Sequence, residues 1–155
     1  MAVDSSPKRL KRACCRNSQD VRLHDAAVAK TLPPVTGFTK DGWSGDKQLF
    51  WAGAAPGGRL DLELPVERAG TFQLEIVMTM ARDFATVQLL LDDKPLGGPR
   101  DLYNYPDVIT TGVLTLGEHK LAAGSHRLTL KITGANRAAM KGYRVGIDYL
   151  LLVPR

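Results

Sequence analysis

The stretch "RLDLELPVERAGTFQLEIVMTM", residues 59–80, alternates apolar and polar side chains with a period of two. Leucines occupy every second position from Leu60 to Leu64, and the alternation resumes at Phe72 and continues to Met80. Successive side chains of a β-strand point to opposite faces of a sheet, so the pattern predicts two half-buried strands. The turn residues of "ERAG" predict the break between them.

The same alternation continues to the end of the chain. Further strands are predicted at "ATVQLLLD", "GVLTLGEHKL", "SHRLTLKITG" and "YRVGIDYLLLV", separated by turn signals such as "APGG", "DDKPLGG" and "LAAG". Seven or eight short antiparallel strands at this spacing indicate an all-β sandwich or barrel. Two segments depart from the pattern. "DLYNYPDVITTG" (101–112) is predicted as a loop rich in aromatic residues, and "GANRAAMKGY" (134–143) as a connection with one turn of helix.

Both tryptophans lie in "WSGDKQLFW", residues 43–51. Trp51 belongs to an apolar strand, so it is predicted in the core, with Leu49 on the same face and Phe50 on the other. Trp43 follows a glycine in the loop before that strand. Its ring either faces solvent as a binding surface or packs under the loop, and the residues alone leave both interpretations open.

Length and charge limit the class of protein. The chain of 155 residues is long enough for one domain with a continuous core. The formal charge is +5, but three of these charges come from residues 1–20, where five cations face two carboxylates. We therefore expect a mobile basic tail over residues 1–20 and a single domain over 21–155. The nearly neutral remainder offers no basic stripe, so no nucleic-acid partner is predicted. No apolar run approaches the ~20 residues of a membrane helix.

Motifs of catalysis are missing from the sequence. None of the three histidines, His24, His119 and His126, belongs to a metal-ligand pair, and the adjacent Cys14 and Cys15 have no zinc-site spacing. His119 and His126 flank a predicted turn and are expected on the surface. There is no nucleophile elbow or phosphate loop.

Glycoside hydrolysis needs only a pair of carboxylates. Four aspartates in or beside the predicted loops could supply such a pair, namely Asp46, Asp83, Asp101 and Asp107.

A sugar-binding site is better supplied by the predicted loops. Such a site needs flat aromatic faces for the sugar ring and planar polar groups for its hydroxyls. The candidate stacking residues are Trp43, Tyr103 and Tyr105. The candidate hydrogen-bonding residues are Asp46, Arg82, Asp83 and Asn104. The alternative for the aromatic residues is that they cover the core beneath their loops.

The ordered series from "WSGDKQLFWAGAAPGGRLDLELPV" through "DLYN" and "TTGVLTLGEHKLAAGSHRLTLKITGAN" to "YRVGIDYLLLVP", roughly residues 36–154, resembles a jelly-roll module of large planctomycete-type bacterial proteins. It is similar to the module at the C-terminus of glycoside-hydrolase-like proteins related to difructose-anhydride-forming enzymes. It also resembles, more distantly, the galactose-binding-like sandwiches that include carbohydrate-binding modules.

This resemblance implies an accessory jelly-roll sandwich in an exported, extracytoplasmic protein. In carbohydrate-binding relatives an acidic pair in the first strand and an aspartate in the last strand hold a structural calcium ion. Asp148 matches the last-strand position, whereas the corresponding first segment offers only Asp25. No cofactor is predicted except this structural calcium ion, and the alternative for Asp148 is that it caps hydrogen bonds near the sheet edge.

Three functions follow as hypotheses. The leading one is a non-catalytic carbohydrate-binding module that targets or positions a glycoside hydrolase, so carbohydrate and a catalytic domain are the predicted partners. The second is a structural sandwich that packs on a catalytic domain or associates with itself through exposed aromatic residues. The third, ranked last, is a glycoside hydrolase that acts through the loop carboxylates.

Overall fold

Two antiparallel sheets form the molecule. A computed structural model describes residues 48–52 and 55–155, together with the strand pairing of residues 19–20 and 29–32. Within these residues all regular structure is β, and no helix has the length and apolar character needed to cross a membrane. The strands in chain order are β1 (Gln19–Asp20), β2 (Ala29–Leu32), β3 (Gln48–Trp51), β4 (Arg59–Val66), β5 (Gly70–Met80), β6 (Thr86–Leu91), β7 (Lys94–Pro95), β8 (Arg100–Asp101), β9 (Ile109–Thr110), β10 (Leu114–Leu121), β11 (Gly124–Gly134) and β12 (Val145–Pro154).

The larger sheet has the order β10-β5-β12-β3-β2, with β1 added beside β12 and β9 beside β5. The smaller sheet has the order β4-β11-β6-β7, with β8 beside β6. Strands β4 and β5, which are consecutive in the chain, thus lie in different sheets. Each pairs with strands that are distant in sequence, β4 with β11 and β5 with β10 and β12. These crossovers between two facing sheets make the molecule a β-sandwich.

The core lies between the two sheets and consists of the residues that the alternation selects. Leu60, Leu62 and Leu64 of β4 are fully buried, whereas Arg59 and Glu63 are exposed. The same holds along β5, where the buried set is Phe72, Leu74, Ile76 and Met78. A fully buried leucine contributes roughly 1.5–3 kcal/mol. The predicted faces of both strands are confirmed.

The prediction for Trp51 is also confirmed. Trp51 is 4% exposed and pairs with Val145 of β12, and Leu49 is buried opposite Ile147. Phe50, on the alternate face of β3, is buried as well. Its ring packs on that of Phe84 with a centroid separation of 6.2 Å.

Two sequence predictions need correction in the connections. The segment 134–143 contains turns and no helix. Ala139 N donates to Asn136 O, as in a turn, but the next amide, Met140 N, donates to Arg82 O in the β5–β6 connection and does not continue a helix. The segment 101–112 is not a continuous loop, because Asp101 ends β8 and β9 spans Ile109–Thr110. The irregular parts of this segment are therefore residues 102–108 and, after β9, residues 111–112.

The histidines beside the β10–β11 turn are less exposed than predicted. Both His119 and His126 are half-buried. The Nε2 atom of His119 lies 2.7 Å from the carbonyl oxygen of Leu116. The His126 ring contacts Asp92 and Ala122 through its two nitrogen atoms. These residues stabilise the end of the sandwich at which β4 ends and β11 begins.

Candidate functional site

Three loops meet at the opposite end of the sandwich, where β5 ends and β12 begins. We call residues 81–85 the central loop, residues 102–108 the tyrosine loop and residues 135–144 the basic loop. They connect β5 to β6, β8 to β9 and β11 to β12, respectively. Strand β11 lies beside β6 in the smaller sheet, and β12 lies beside β5 in the larger sheet. The central loop runs from β5 to β6 and the basic loop from β11 to β12, so both loops pass from one sheet to the other at neighbouring positions. The sheet topology thereby brings them together.

The central loop is held on both sides by backbone hydrogen bonds. On one side, Ala81 N donates to Leu102 O at 3.1 Å and Asn104 N donates to Ala81 O at 3.2 Å. On the other side, Met140 N donates to Arg82 O at 2.8 Å. Buried backbone groups of a loop need such partners, because water cannot reach them. The three loops therefore form one connected surface.

An ion pair joins the central loop to the basic loop. Arg144 Nη1 lies 2.9 Å from Asp83 Oδ2, and Arg144 N donates to Asp83 O at 3.2 Å. The guanidinium carbon of Arg144 is 5.8 Å from the centroid of the Phe50 ring, within the range of a cation–π contact. Gly142 allows the close approach, since a Cβ atom there would lie 3.0 Å from Asp83 O. Asp83 and Arg144 thus link the loops to the core.

Asp101 organises the start of the tyrosine loop. Its Oδ1 accepts a hydrogen bond from Tyr103 N at 2.9 Å, and its Oδ2 accepts one from Asn136 Nδ2 at 2.6 Å. The second bond ties the tyrosine loop to the basic loop. Asn104 Nδ2 donates to Asp107 O at 2.7 Å. The tyrosine loop is therefore held by the side chain of Asp101 at the end of β8 and by that of its own Asn104.

The two tyrosines of this loop differ in exposure. Tyr103 is half-buried and its backbone pairs with Ala81, whereas Tyr105 is 63% exposed. The peptide bond from Tyr105 to Pro106 is cis. Met140 of the basic loop is 57% exposed. An accessible aromatic ring and an accessible thioether therefore belong to adjoining loops.

Five of the residues predicted for a ligand site lie at this loop end, namely Arg82, Asp83, Tyr103, Asn104 and Tyr105. Asp83 is engaged by Arg144, and the amide of Asn104 is engaged by Asp107 O, so both have structural roles within the loops. The other two predicted residues, Trp43 and Asp46, lie outside the described residues.

The basic loop supplies polar residues that the sequence prediction did not include. Asn136 donates to Asp101 and accepts from Ala138 N through Oδ1 at 2.9 Å, and Arg137 and Lys141 are exposed. The sequence signal was the interruption of the alternation at 134–143 by polar and cationic residues. That interruption identified a connection, but it did not show which other loops it would contact.

A calcium site at Asp148 finds no support among the described residues. No three histidine, cysteine, aspartate or glutamate side chains in that part of the chain are grouped so that they could hold a metal ion. Asp148 is half-buried beside the register shift in β12 and already has an interaction partner. Hard cations such as calcium need several oxygen ligands. Asp25, the remaining acidic residue of the expected set, lies outside the described residues, and the calcium ion stays a prediction.

Comparison with solved structures identifies the architecture. A xanthan lyase from Paenibacillus superposes on 91% of this chain with a TM-score of 0.71 and 19% identity. The CBM36-1 domain of a multidomain xylanase from the hindgut metagenome of Trinervitermes trinervoides superposes on 90% with a TM-score of 0.50 and 14% identity, and 98% of that domain is covered. The fold is a jelly-roll β-sandwich.

The same jelly-roll fold occurs in a GH26-CBM35 β-(1,4)-mannanase from Podospora anserina, with a TM-score of 0.53, 14% identity and 89% of this chain covered. This chain spans 13% of the length of the xanthan lyase chain and 27% of that of the mannanase. No protein-family model matches the sequence, and no curated protein matches it. These similarities establish the fold.

Proposed function

We propose that this chain is a non-catalytic carbohydrate-binding module that binds sugar at the loop end. The observation that carries the proposal is the 63% exposure of Tyr105, on a loop that Asp101 and Asn104 hold closed. An exposed ring on a fixed loop can stack on the C–H face of a sugar at little entropic cost. Arg82 of the adjoining loop offers planar donors for hydroxyl groups.

The similar structures support this function through their fold. They belong to proteins named as a xanthan lyase, a β-(1,4)-mannanase and a multidomain xylanase, and one of them is a CBM36-1 domain by itself. We infer that this chain likewise serves as an accessory module of a glycoside hydrolase or lyase. The contacts of two loop carboxylates accord with a non-catalytic role. Asp83 is paired with Arg144, and Asp101 accepts hydrogen bonds from Tyr103 N and Asn136 Nδ2, so both hold neighbouring loops together.

The finer assignment rests on the series of sequence motifs. By that resemblance we propose an exported, bacterial protein of the planctomycete type, with the module related to those of difructose-anhydride-forming enzymes. A structural calcium ion near Asp148 belongs to the same proposal. Calcium removal by a chelator, followed by thermal unfolding, tests it, because a bound ion raises the melting temperature.

Binding to an array of plant, algal and bacterial polysaccharides tests the main proposal, followed by calorimetry on the best ligand. We expect a Kd between ~1 μM and ~1 mM for at least one glycan. Tyr105→Ala should weaken binding by about tenfold or more, since stacking and ring burial are lost. Val113→Ala is the matched control, because Val113 is 55% exposed outside the three loops. Absence of binding to any glycan at millimolar concentration would refute the proposal.

A structural role is the second candidate, favoured by the combined exposure of Tyr105 and Met140 at one end. Exposed apolar residues in one patch often anchor a protein interface. Under this role, sedimentation velocity would show an oligomer that Tyr105→Ala and Met140→Ala dissociate. Under the carbohydrate-binding role, the same variants leave the mass unchanged and lose affinity for the glycan.

A further inference from the structure

The loop end carries an excess of cationic side chains. The central and basic loops together contain four, namely Arg82, Arg137, Lys141 and Arg144, against the single carboxylate of Asp83. Four minus one leaves three positive charges on two loops that are joined by backbone hydrogen bonds. The excess is local, because the chain beyond residue 20 has a net charge of only +2, that is +5 minus +3.

Three of these cations are available to a ligand. Arg144 is paired with Asp83, which cancels both charges. Arg82, Arg137 and Lys141 are exposed, and their side chains make no hydrogen bond or ion pair within the part of the chain that the structure describes. The bond from Met140 N to Arg82 O places Arg82 beside the segment that holds Lys141. We call Arg82, Arg137 and Lys141 the cationic rim.

The carboxylates nearby leave the rim unpaired. Asp101 accepts hydrogen bonds through both oxygens, from Tyr103 N and from Asn136 Nδ2. Asp107 is the carboxylate of the tyrosine loop itself. With both included, the loop end still has four cations against three carboxylates. The excess is one positive charge, but Asp83 is paired with Arg144, Asp101 has both oxygens engaged and Asp107 is half-buried, so the exposed charged groups without a partner among the described residues of this end are the three cations of the rim.

We propose that the loop end recognises a sugar that carries a carboxylate, that is, a uronic acid residue of an acidic polysaccharide. This inference rests on the proposed function and specifies its ligand. A guanidinium group presents two parallel N–H donors that match the two oxygens of a carboxylate. Tyr105 then stacks on the ring of the same sugar or of its neighbour, while Arg82 and Lys141 contact the acid group.

The test uses the full chain and compares each acidic polymer with its own uncharged form. Polygalacturonate, alginate, glucuronoxylan and hyaluronate are measured by calorimetry or affinity electrophoresis beside the same polymers after chemical reduction of their carboxyl groups. Neutral galactomannan and β-glucan complete the set. We expect at least one acidic polymer to bind about tenfold or more tightly than its reduced form, the scale of one charge-assisted hydrogen bond. Binding should weaken as sodium chloride is raised from 50 to 500 mM, on the order of severalfold.

Charge-reversal variants test whether the cationic rim causes the preference for acidic polymers. Arg82→Glu and Lys141→Glu should each reduce affinity for the acidic polymer by about tenfold or more, since a repulsive charge replaces an attractive one. Arg68→Glu is the control, because Arg68 is an exposed cation in the β4–β5 turn at the other end of the sandwich. Circular dichroism establishes that each variant is folded.

The outcomes separate this inference from the function on which it rests. If neutral or carboxyl-reduced polymers bind as well as the acidic ones, the preference for uronic acids is overturned and the carbohydrate-binding function remains. Unchanged affinity of both charge-reversal variants overturns it too. If no polymer of either class binds, the proposed function itself is wrong.

Discussion

His126 lies between two hydrogen-bond acceptors, with Nδ1 2.6 Å from Asp92 Oδ2 and Nε2 2.8 Å from the carbonyl oxygen of Ala122. A neutral imidazole has one N–H and can satisfy only one of these contacts, whereas the imidazolium ion satisfies both. The hydrogen bond to Asp92 raises the pKa of His126, although partial burial opposes it. Burial also works to raise the pKa of Asp92, but hydrogen bonds from His126 and Arg127 N lower it below its ordinary value.

Neighbouring charged groups have other partners. The guanidinium group of Arg127 binds Asp93, and Glu63 on β4 accepts a hydrogen bond from Ser125 at 3.0 Å. The charge that faces the His126 ring is therefore that of Asp92. This arrangement makes the stability of the domain depend on pH in a defined direction.

We predict that the free energy of unfolding falls as the pH is raised above the ordinary histidine pKa of 6.5. The pKa of His126 is raised in the folded state, so its stabilising effect is complete below the ordinary value of 6.5 and is lost as the pH rises through the folded-state pKa. The loss should be about 1 kcal/mol, the order of the net contribution of one typical hydrogen bond in a protein. Urea denaturation from pH 5.5 to 9 measures it. His126→Gln should remove this component, and His119→Gln should retain it; equal pH profiles for the wild type and His126→Gln would contradict the assignment.

The close approach of β3 and β12 predicts a strong effect at Gly146. A Cβ atom there would overlap Gln48 Oε1 and lie 3.0 Å from Thr79 Cβ, and both residues are buried and hydrogen-bonded to each other. Gly146→Ala should therefore lower the free energy of unfolding by about 1–3 kcal/mol through overpacking. Gly98→Ala is the control, since nothing lies within 4 Å of its Cβ position. Chemical denaturation of both variants provides the comparison, and equal stability would contradict the predicted overlap.

Trp51 and Tyr105 should separate stability from binding. Trp51→Ala removes a buried ring and is expected to cost about 3–5 kcal/mol. Tyr105→Ala removes an exposed ring and should change stability by less than ~0.5 kcal/mol while it lowers glycan affinity. Thermal unfolding and calorimetry on the same samples measure the two effects. A large loss of stability in Tyr105→Ala would show that its ring supports the loops.

The ion pair between Asp83 and Arg144 predicts a structural effect of modest size. Asp83→Asn keeps the shape of the side chain but removes its charge, so a pair that is half exposed at Arg144 should lose about 0.5–1 kcal/mol. Asp107→Asn, in the tyrosine loop, serves as the control and should be nearly neutral. Urea denaturation measures the difference. If Asp83→Asn instead abolished turnover of a glycoside, the hydrolase hypothesis would replace the binding one.

The strands were predictable because their information is local. Alternation with a period of two places Leu60, Leu62 and Leu64 on one face whatever strand lies beside them. Their partners were not predictable, because pairing joins residues far apart in the chain, as Leu62 with Leu128. The environment of His126 shows the same limit. Its turn is visible in the sequence, but its acceptor Asp92 is 34 residues away.

The candidate site could be predicted in composition but not in contacts. Tyr103, Asn104 and Tyr105 stand out as aromatic and polar residues in an irregular segment, and they stay predictions until a ligand is tested. The basic loop was visible only as an interruption of alternation. Its importance comes from the bonds of Asn136 to Asp101 and of Met140 to Arg82, which depend on two crossovers between the sheets.

The interlocking of the three loops by main-chain bonds has a consequence for how such a module diversifies. The bonds at Ala81, Arg82 and Asn104 use backbone atoms, so they are independent of the outward side chains. Substitutions at exposed positions such as 105, 137 and 141 can then change the chemistry of the surface without changing the backbone that supports it. If the proposed carbohydrate-binding function holds, recognition and folding stability can change separately at this end of the sandwich, and one stable scaffold can acquire a new sugar preference through few mutations.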